Sequence, residues 1–228
     1  MAYDFDTIAT NYDRMNRLMT LGLDRRWRRL GAQASRLQKN TMQAGRLHPQ
    51  ALDVACGTGD MVVELQKQGF TVTGVDISEE MLAIAKGKAP SATYMVADAE
   101  ALSFPDESFD AVACAFGVRN FVHLERGLGE MLRVLKPGGR MVILELATPD
   151  SPLIRPFYNL YTRHIIPWLG QRMAGSREAY TYLPQSIERF PKGREFVRIV
   201  RQVGGDAAER KMTFGVCRMY TIEKQRGR

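Results

Sequence analysis

The chain has 228 residues, 45% of them hydrophobic and 25% charged, which suits one soluble domain with a sizeable core. Its net charge of +7 and pI of about 9.5 fit either a merely basic surface or an anionic partner, nucleic acid or an acidic membrane. No apolar run approaches the roughly 18 residues of a bilayer span. Cys56, Cys114 and Cys217 are too scattered for a disulfide framework, and His48, His123 and His164 form no metal-ligating cluster.

Residues 1–48 read as an amphipathic helical cap. Its start, Met1-Ala2-Tyr3-Asp4-Phe5-Asp6, lacks the basic and apolar segments of a signal peptide, so reduced thiols and a cytoplasmic setting are expected. Met15, Leu18, Met19 and Leu23 recur at helical spacing, followed by Trp27 and Leu30. The run Arg25-Arg26-Trp27-Arg28-Arg29 and the stretch from Arg189 to Arg228 carry much of the positive charge, as solvated faces or as contacts for an anion.

Residues 49–147 alternate strands and helices. Strands are expected at Ala51–Ala55, Thr71–Asp76, Thr93–Ala97, Asp110–Phe116 and Arg140–Leu146. Helices are expected at Asp60–Gln68, at Glu79–Lys88 with Ser78 as N-cap, and at Glu125–Leu135. That rhythm predicts a doubly wound parallel sheet, with Pro137-Gly138-Gly139 as the reversal before strand five. Residues 148–191 interrupt it with an insert rich in proline and aromatics. Residues 192–228 hold a helix over Glu195–Val203, ended by Gly204-Gly205, and two strands over 208–214 and 216–223. A tight turn near Gly215 makes those strands antiparallel. The expected fold is α/β: a Rossmann-like seven-stranded sheet, mostly parallel with a C-terminal antiparallel hairpin, plus N-terminal helices and a helical lid insert in one domain.

The turn after strand one reads Asp53-Val54-Ala55-Cys56-Gly57-Thr58-Gly59-Asp60. Ligands of open α/β sheets sit at the carboxyl ends of the strands, and Gly57 and Gly59 let backbone approach one closely. A dinucleotide site needs a third glycine where Val62 stands, and Asp60 occupies the place of a phosphate. Both features disfavour NAD and favour a cationic, phosphate-free ligand. Asp76 ends strand two, seventeen residues after Gly59, and either accepts from two ribose hydroxyls or caps a turn. Asp98 follows strand three and either accepts from an adenine amine or is a loop aspartate. The candidate cofactor set is Asp53, Gly57, Thr58, Gly59, Asp76, Ile77, Asp98, Ala99 and Ala115.

The glycine loop, Asp76, Asp98 and Leu135-Lys136-Pro137-Gly138-Gly139, in that order, resemble the class I methyltransferases, which implies S-adenosyl-L-methionine as cofactor. Ala55 departs from the glycine many members carry there. Tyr12-Asp13-Arg14-Met15-Asn16, Leu21-Gly22-Leu23, Arg26-Trp27-Arg28, Phe116-Gly117-Val118-Arg119-Asn120 and the segment Tyr180 to Phe190 are similar to the ubiquinone/menaquinone C-methyltransferases. Thr213-Phe214-Gly215-Val216-Cys217 looks more like the menaquinone branch, which implies methylation of demethylmenaquinol; a benzoquinol or another small phenolic or lipid substrate is the alternative.

Arg119 and Asn120 follow strand four and are the candidate catalytic pair by that resemblance. Arginine stays protonated, so Arg119 is assigned to stabilising a phenolate, directly or through a water, and Asn120 to orientation. The alternative is a structural arginine paired with an acidic neighbour. His123 is another candidate base, or a helix-start residue. In the apolar insert Ser151 to Gly175, Tyr158 and Tyr161 are candidate substrate contacts; the insert is either a helix packed on the core or a wall for the quinone and an exit for its tail. Arg155, Arg163 and Arg172 could meet anionic headgroups, at about 1 kcal/mol each near the surface. The partners expected are a lipid quinol and the inner face of a membrane, with no nucleic acid and no metal; a homodimer is left open.

Overall fold

The computed structural model describes residues 9–36, 48–166, 168 and 177–224. Arg172, Leu169 and the side chain of Tyr180 lie outside them. Two N-terminal helices, α1 (Ala9–Met19) and α2 (Leu23–Ala34), precede the alternating core. The core runs β1 (Gln50–Val54), α3 (Asp60–Gln66), β2 (Thr71–Asp76), α4 (Glu79–Lys88), β3 (Thr93–Val96), β4 (Phe109–Ala115), α5 (Leu124–Val134) and β5 (Leu135–Leu146). Then come α6 (Arg155–Leu160), which continues as a π turn over Tyr161–Ile165, α7 (Arg177–Arg189), α8 (Arg194–Gln202), β6 (Gly205–Met212) and β7 (Cys217–Lys224).

The seven strands lie in the order β3-β2-β1-β4-β5-β7-β6. The first five pair in parallel; β7 runs antiparallel to both β5 and β6. Alternation along each strand assigns the two faces. Leu52, Val54, Val112, Cys114, Met141 and Ile143 pack with Leu128 and Met131 of α5 and Phe196 and Val200 of α8. Ala51, Ala111 and Ala113 face α3 and Ala32 of α2, while Val142 and Leu144 meet Trp27. Burial on both faces explains why these strands read as continuous apolar runs. The helix α2 comes close to β5 at Gly31, where a Cβ would lie 3.0 Å from Leu144 Cδ1.

Strand five starts five residues earlier than expected. Pro137-Gly138-Gly139 is a bulge within it, because the pairing jumps from Phe109–Leu135 to Ala111–Arg140. Only glycine fits at its closest point, where a Cβ on Gly139 would sit 2.8 Å from the Asp110 carbonyl oxygen. The hairpin strands are likewise shifted to 205–212 and 217–224, with Gly204 (φ 92°) ending α8. Ser78 caps α4 as expected, its hydroxyl accepting from the Met81 amide at 3.0 Å. No helix among the described residues is long and apolar enough to cross a membrane.

Candidate functional site

The carboxyl ends of β1, β2, β3 and β4 surround a cavity of about 210 Å³. Gly57, Asp76, Ile77, Asp98, Ala99, Ala115 and Asn120 all line it, so most of the expected cofactor set converges there from four strand ends. Asp76 also shapes the glycine loop: its Oδ2 accepts from the Gly57 amide at 2.8 Å and its Oδ1 from the Ser78 amide at 3.1 Å. The Asp98 Oδ1 accepts from the Glu100 amide at 2.9 Å. A Cβ on Gly57 would meet nothing within 4 Å, which leaves its backbone open to an approaching ligand.

Three expected cofactor residues stand apart from this cavity. Gly59 is a packing glycine: at φ 83° it starts α3, and a Cβ there would lie 3.0 Å from Ala85 Cβ of α4. The Thr58 hydroxyl donates to Asp13 of α1 at 2.5 Å and accepts from Lys88 of α4 at 2.9 Å. Thr58 and Asp53 instead line a small recess beneath the loop, with Arg28 and Asp60. Asp60 is ion-paired with Lys88 at 2.7 Å, and burial is outweighed by the Arg28 and Lys88 charges, so its pKa lies below the usual carboxylate value.

Asp53 is fully buried, and neither carboxylate oxygen has a hydrogen-bond partner among the described residues. Burial drives its pKa well up, only partly offset by the Arg28 charge. An uncompensated buried carboxylate is costly and calls for a cationic partner. The donor set thus fits S-adenosylmethionine, which carries an ammonium, a ribose and an adenine and lacks phosphate. Ala55 adopts φ 52°, a conformation that favours glycine, and its methyl is accommodated because residue 117 is glycine: a Cβ there would lie 2.7 Å from Ala55 Cβ.

A second cavity of about 200 Å³ adjoins the first and is largely apolar. Tyr158 and Tyr161 line it, with Met19, Trp27, Ile166, Leu183 and Ile187. The insert is therefore neither a plain core helix nor only a wall: Tyr158, Thr162 and Ile166 face the cavity, while Phe157, Leu160 and Trp168 are exposed. Burial and Glu188 push the Tyr158 hydroxyl up to about 12, so it stays protonated at neutral pH. Tyr12 and Phe116 line both cavities. Phe116 is held at φ 65°, its amide donating to the Leu144 carbonyl at 2.8 Å, with Trp27 edge-on and the Arg28 guanidinium 4.9 Å above its ring.

Arg119 lines the second cavity and Asn120 the first. The Arg119 Nη1 donates to Glu145 Oε1 at 2.9 Å and to the Phe116 carbonyl, and its Nε donates to Ser186 Oγ at 3.3 Å. Burial alone would lower its pKa, but Glu145 more than offsets this, so the guanidinium stays charged. The acidic-neighbour alternative is thus present in the structure, and Arg119 nevertheless borders the cavity. His123 starts α5 and is exposed, with its amide donating to Glu100 at 2.8 Å.

Several residues here went unassigned in the sequence. Arg28 belongs to a run read as solvated faces or as contacts for an anion; it is in fact buried, 2.6 Å from Asp24, because one face of α2 turns inward. Glu145 carried a signal, a lone acid within an apolar strand. Tyr182 and Ser186 of α7 carried none beyond their segment, yet they bond to Asn120 and Arg119.

Comparison with known proteins agrees with this architecture. The sequence profile of the ubiE/COQ5 methyltransferase family matches residues 2–224. The chain is 43% identical to the ubiquinone/menaquinone biosynthesis C-methyltransferase UbiE of Geobacter sulfurreducens, covering 96% of this chain and 86% of that protein. It is 40% identical to the demethylmenaquinone methyltransferase of Thermus thermophilus, covering 96% and 99%. Among solved structures, a putative methyltransferase in complex with the Haloferax volcanii activator Trm112 superposes with a TM-score of 0.67 at 17% identity, covering 99% of this chain and all of that one. A phosphoethanolamine N-methyltransferase of Haemonchus contortus, solved with S-adenosyl-L-methionine, gives a TM-score of 0.59 at 17% identity, covering 85% of this chain and 52% of that one. The fold is the Rossmann-like fold of the class I methyltransferases, and the chain belongs to the ubiE/COQ5 methyltransferase family of S-adenosylmethionine-dependent enzymes.

Proposed function

We propose that this enzyme methylates a ring carbon of a prenylated quinol, with demethylmenaquinol as substrate and menaquinol as product. The observation that carries this reading is the pair of adjoining cavities, one with polar groups suited to S-adenosylmethionine and one apolar, with Tyr12 and Phe116 lining both. Relatives named for demethylmenaquinone support the quinone ring as the occupant of the apolar side.

When bound, S-adenosylmethionine supplies an electrophilic methyl group. In this reading Asp53 accepts from its ammonium, Asp76 and Ile77 hold its ribose, Asp98 and Ala99 hold its adenine, and Gly57 and Ala115 leave room for it. Tyr158 and Tyr161 flank the quinol ring. A quinol that gives its hydroxyl proton to water gains electron density at the neighbouring ring carbon, which would take the methyl in line as the S–CH3 bond breaks and S-adenosylhomocysteine leaves; loss of that carbon's proton to water then restores the aromatic ring. Arg119, permanently charged and fixed by Glu145, stabilises the phenolate, and Asn120 orients the ring. Catalysis is then chiefly positioning in a site shielded from water. The sequence divides by role into a helical cap (1–48), a cofactor core (49–147), a substrate lid (148–191) and a C-terminal helix and hairpin (192–228). The lipid substrate also calls for contact with a membrane surface.

The test is turnover by the purified enzyme of a short-chain demethylmenaquinol, read by mass spectrometry. A methylated naphthoquinol is expected; no product, from enzyme that binds S-adenosylhomocysteine, would overturn the reading. A benzoquinol belongs in the same assay, because the Geobacter relative is named for both quinones.

A further inference from the structure

The second cavity opens amid large apolar side chains that face solvent. Leu21 lines the cavity and is itself 76% exposed. Phe214 is 77% exposed, next to Thr213, which lines the cavity and accepts from the Trp27 indole at 2.9 Å. Phe157 and Leu160, 74% and 58% exposed, flank the lining residues Tyr158 and Tyr161 on the same helix. Three separate chain segments thus end in apolar groups around one opening, whereas a scattered surface leucine would be unremarkable.

Two of these tips sit on unusual backbone. Leu21 has φ 52°, and Thr213 and Phe214 have φ 46° and 57°. The left-handed region costs such residues about 1–2 kcal/mol each. The fold holds Leu21 and Phe214 outward in spite of that cost and of their exposure to water.

Exposed basic side chains accompany this rim. On the insert Arg155 and Arg163 are exposed, Arg163 in an ion pair with the exposed Glu188 of α7 at 3.2 Å. Arg25, Arg26 and Arg29 are exposed on α2, next to Leu21. An apolar rim set in basic surface matches the interface of an anionic bilayer, where aromatic and aliphatic tips enter the acyl boundary and cations meet headgroups.

We infer that Leu21, Phe157, Leu160 and Phe214 form a membrane-docking rim that seats the mouth of the second cavity on an anionic lipid surface. The exposed Trp168, eleven residues after Phe157, lies on the same segment and gives the rim a spectroscopic reporter. A lipid quinol would then enter from the bilayer without its tail crossing water. The inference builds on the quinol reading, but its test needs no quinol.

The experiment uses the full chain, without substrate, and vesicles of equal parts phosphatidylcholine and phosphatidylglycerol, with phosphatidylcholine alone as control. Flotation should carry the enzyme with the anionic vesicles, less so in high salt. Brominated acyl chains should quench the fluorescence of Trp168, since the only other tryptophan, Trp27, is buried. The exposed changes Phe157→Ser and Phe214→Ser together should lower partitioning about tenfold. Arg25→Glu with Arg29→Glu should lower it independently, through charge. Neither pair should change turnover of a water-soluble short-chain quinol. No flotation of the wild type, or wild-type flotation by both variant pairs, overturns the inference. Flotation that persists while no quinol is methylated overturns the quinol reading instead.

Discussion

The hydroxyl of Tyr182 donates to Asn120 Oδ1 at 3.1 Å, joining the lid helix α7 to the strand-four turn that carries the candidate catalytic pair. One turn further along α7, Ser186 Oγ accepts from Arg119 Nε at 3.3 Å. Leu183, Pro184 and Ile187, interleaved with them, line the second cavity. A single helix therefore lines the second cavity and holds the two residues assigned to act on its proposed occupant.

Tyr182 and Ser186 should accordingly act as positioning residues. Tyr182→Phe is expected to lower kcat about tenfold, since a small misplacement of an aligned group is expensive, while the KM for the methyl donor stays unchanged. Steady-state kinetics with both substrates varied would decide; an unchanged kcat would mean that the lid merely covers the site.

Arg119 can be separated from its structural role through Glu145. Arg119→Gln should retain affinity for S-adenosylhomocysteine yet lose about 100-fold or more in kcat. It should also lower the melting temperature, because Glu145, 1% exposed, is left as an unpaired buried charge. Adding Glu145→Gln should recover stability without recovering turnover. If turnover returns with stability, the arginine serves only the fold.

Asp53 makes stability depend on pH in a defined direction. Its folded-state pKa is raised well above the usual carboxylate value by burial, so the folded protein holds this proton more tightly than the unfolded chain. That contribution is fully present below the unfolded pKa and is lost as pH rises through the folded one. Asp53→Asn should therefore raise the melting temperature of the ligand-free enzyme at neutral pH by about 2–4 °C per kcal/mol relieved, and flatten its pH dependence. The same change should weaken S-adenosylhomocysteine binding about tenfold. Thermal melts across pH, with and without ligand, measure both effects, and tighter binding by the variant would refute the ammonium contact.

The two glycines of the loop should fail differently. Gly59→Ala places a methyl 3.0 Å from Ala85 Cβ at φ 83°, so a loss of about 1–3 kcal/mol of stability is expected, with little change in ligand affinity of the folded protein. Gly57→Ala meets open space at φ 53°, so it should cost about 1–2 kcal/mol in strain but sharply weaken ligand binding, because its methyl enters the first cavity. Melting curves and calorimetry would separate the two; equal losses of affinity would place Gly59 in the site after all.

The sheet and the cofactor cavity were legible along the chain because each depends on short-range pattern. Strand alternation, the helix cap at Ser78 and the glycines after β1 are local, and parallel topology then brings Asp76, Asp98 and Ala115 to neighbouring strand ends. Ala55 could be noted as a departure, but its accommodation by Gly117 could not, because the two meet only across adjacent strand ends.

By itself the sequence determined the parallel core with its antiparallel hairpin, the phosphate-free cofactor site and the family, all of which follow from hydrophobic period, turn residues and ordered motifs. Only the tertiary structure decided that Arg28 is buried rather than solvated, that Gly59 packs and Gly57 faces the cavity, and that Asp53 has no hydrogen-bond partner among the described residues. Only it joined Tyr182 and Ser186 to a pair more than 60 residues earlier. The physical reason is the same in each case: burial and hydrogen-bond partnership depend on which surfaces of separate elements meet, and periodicity within one element carries no record of its neighbour.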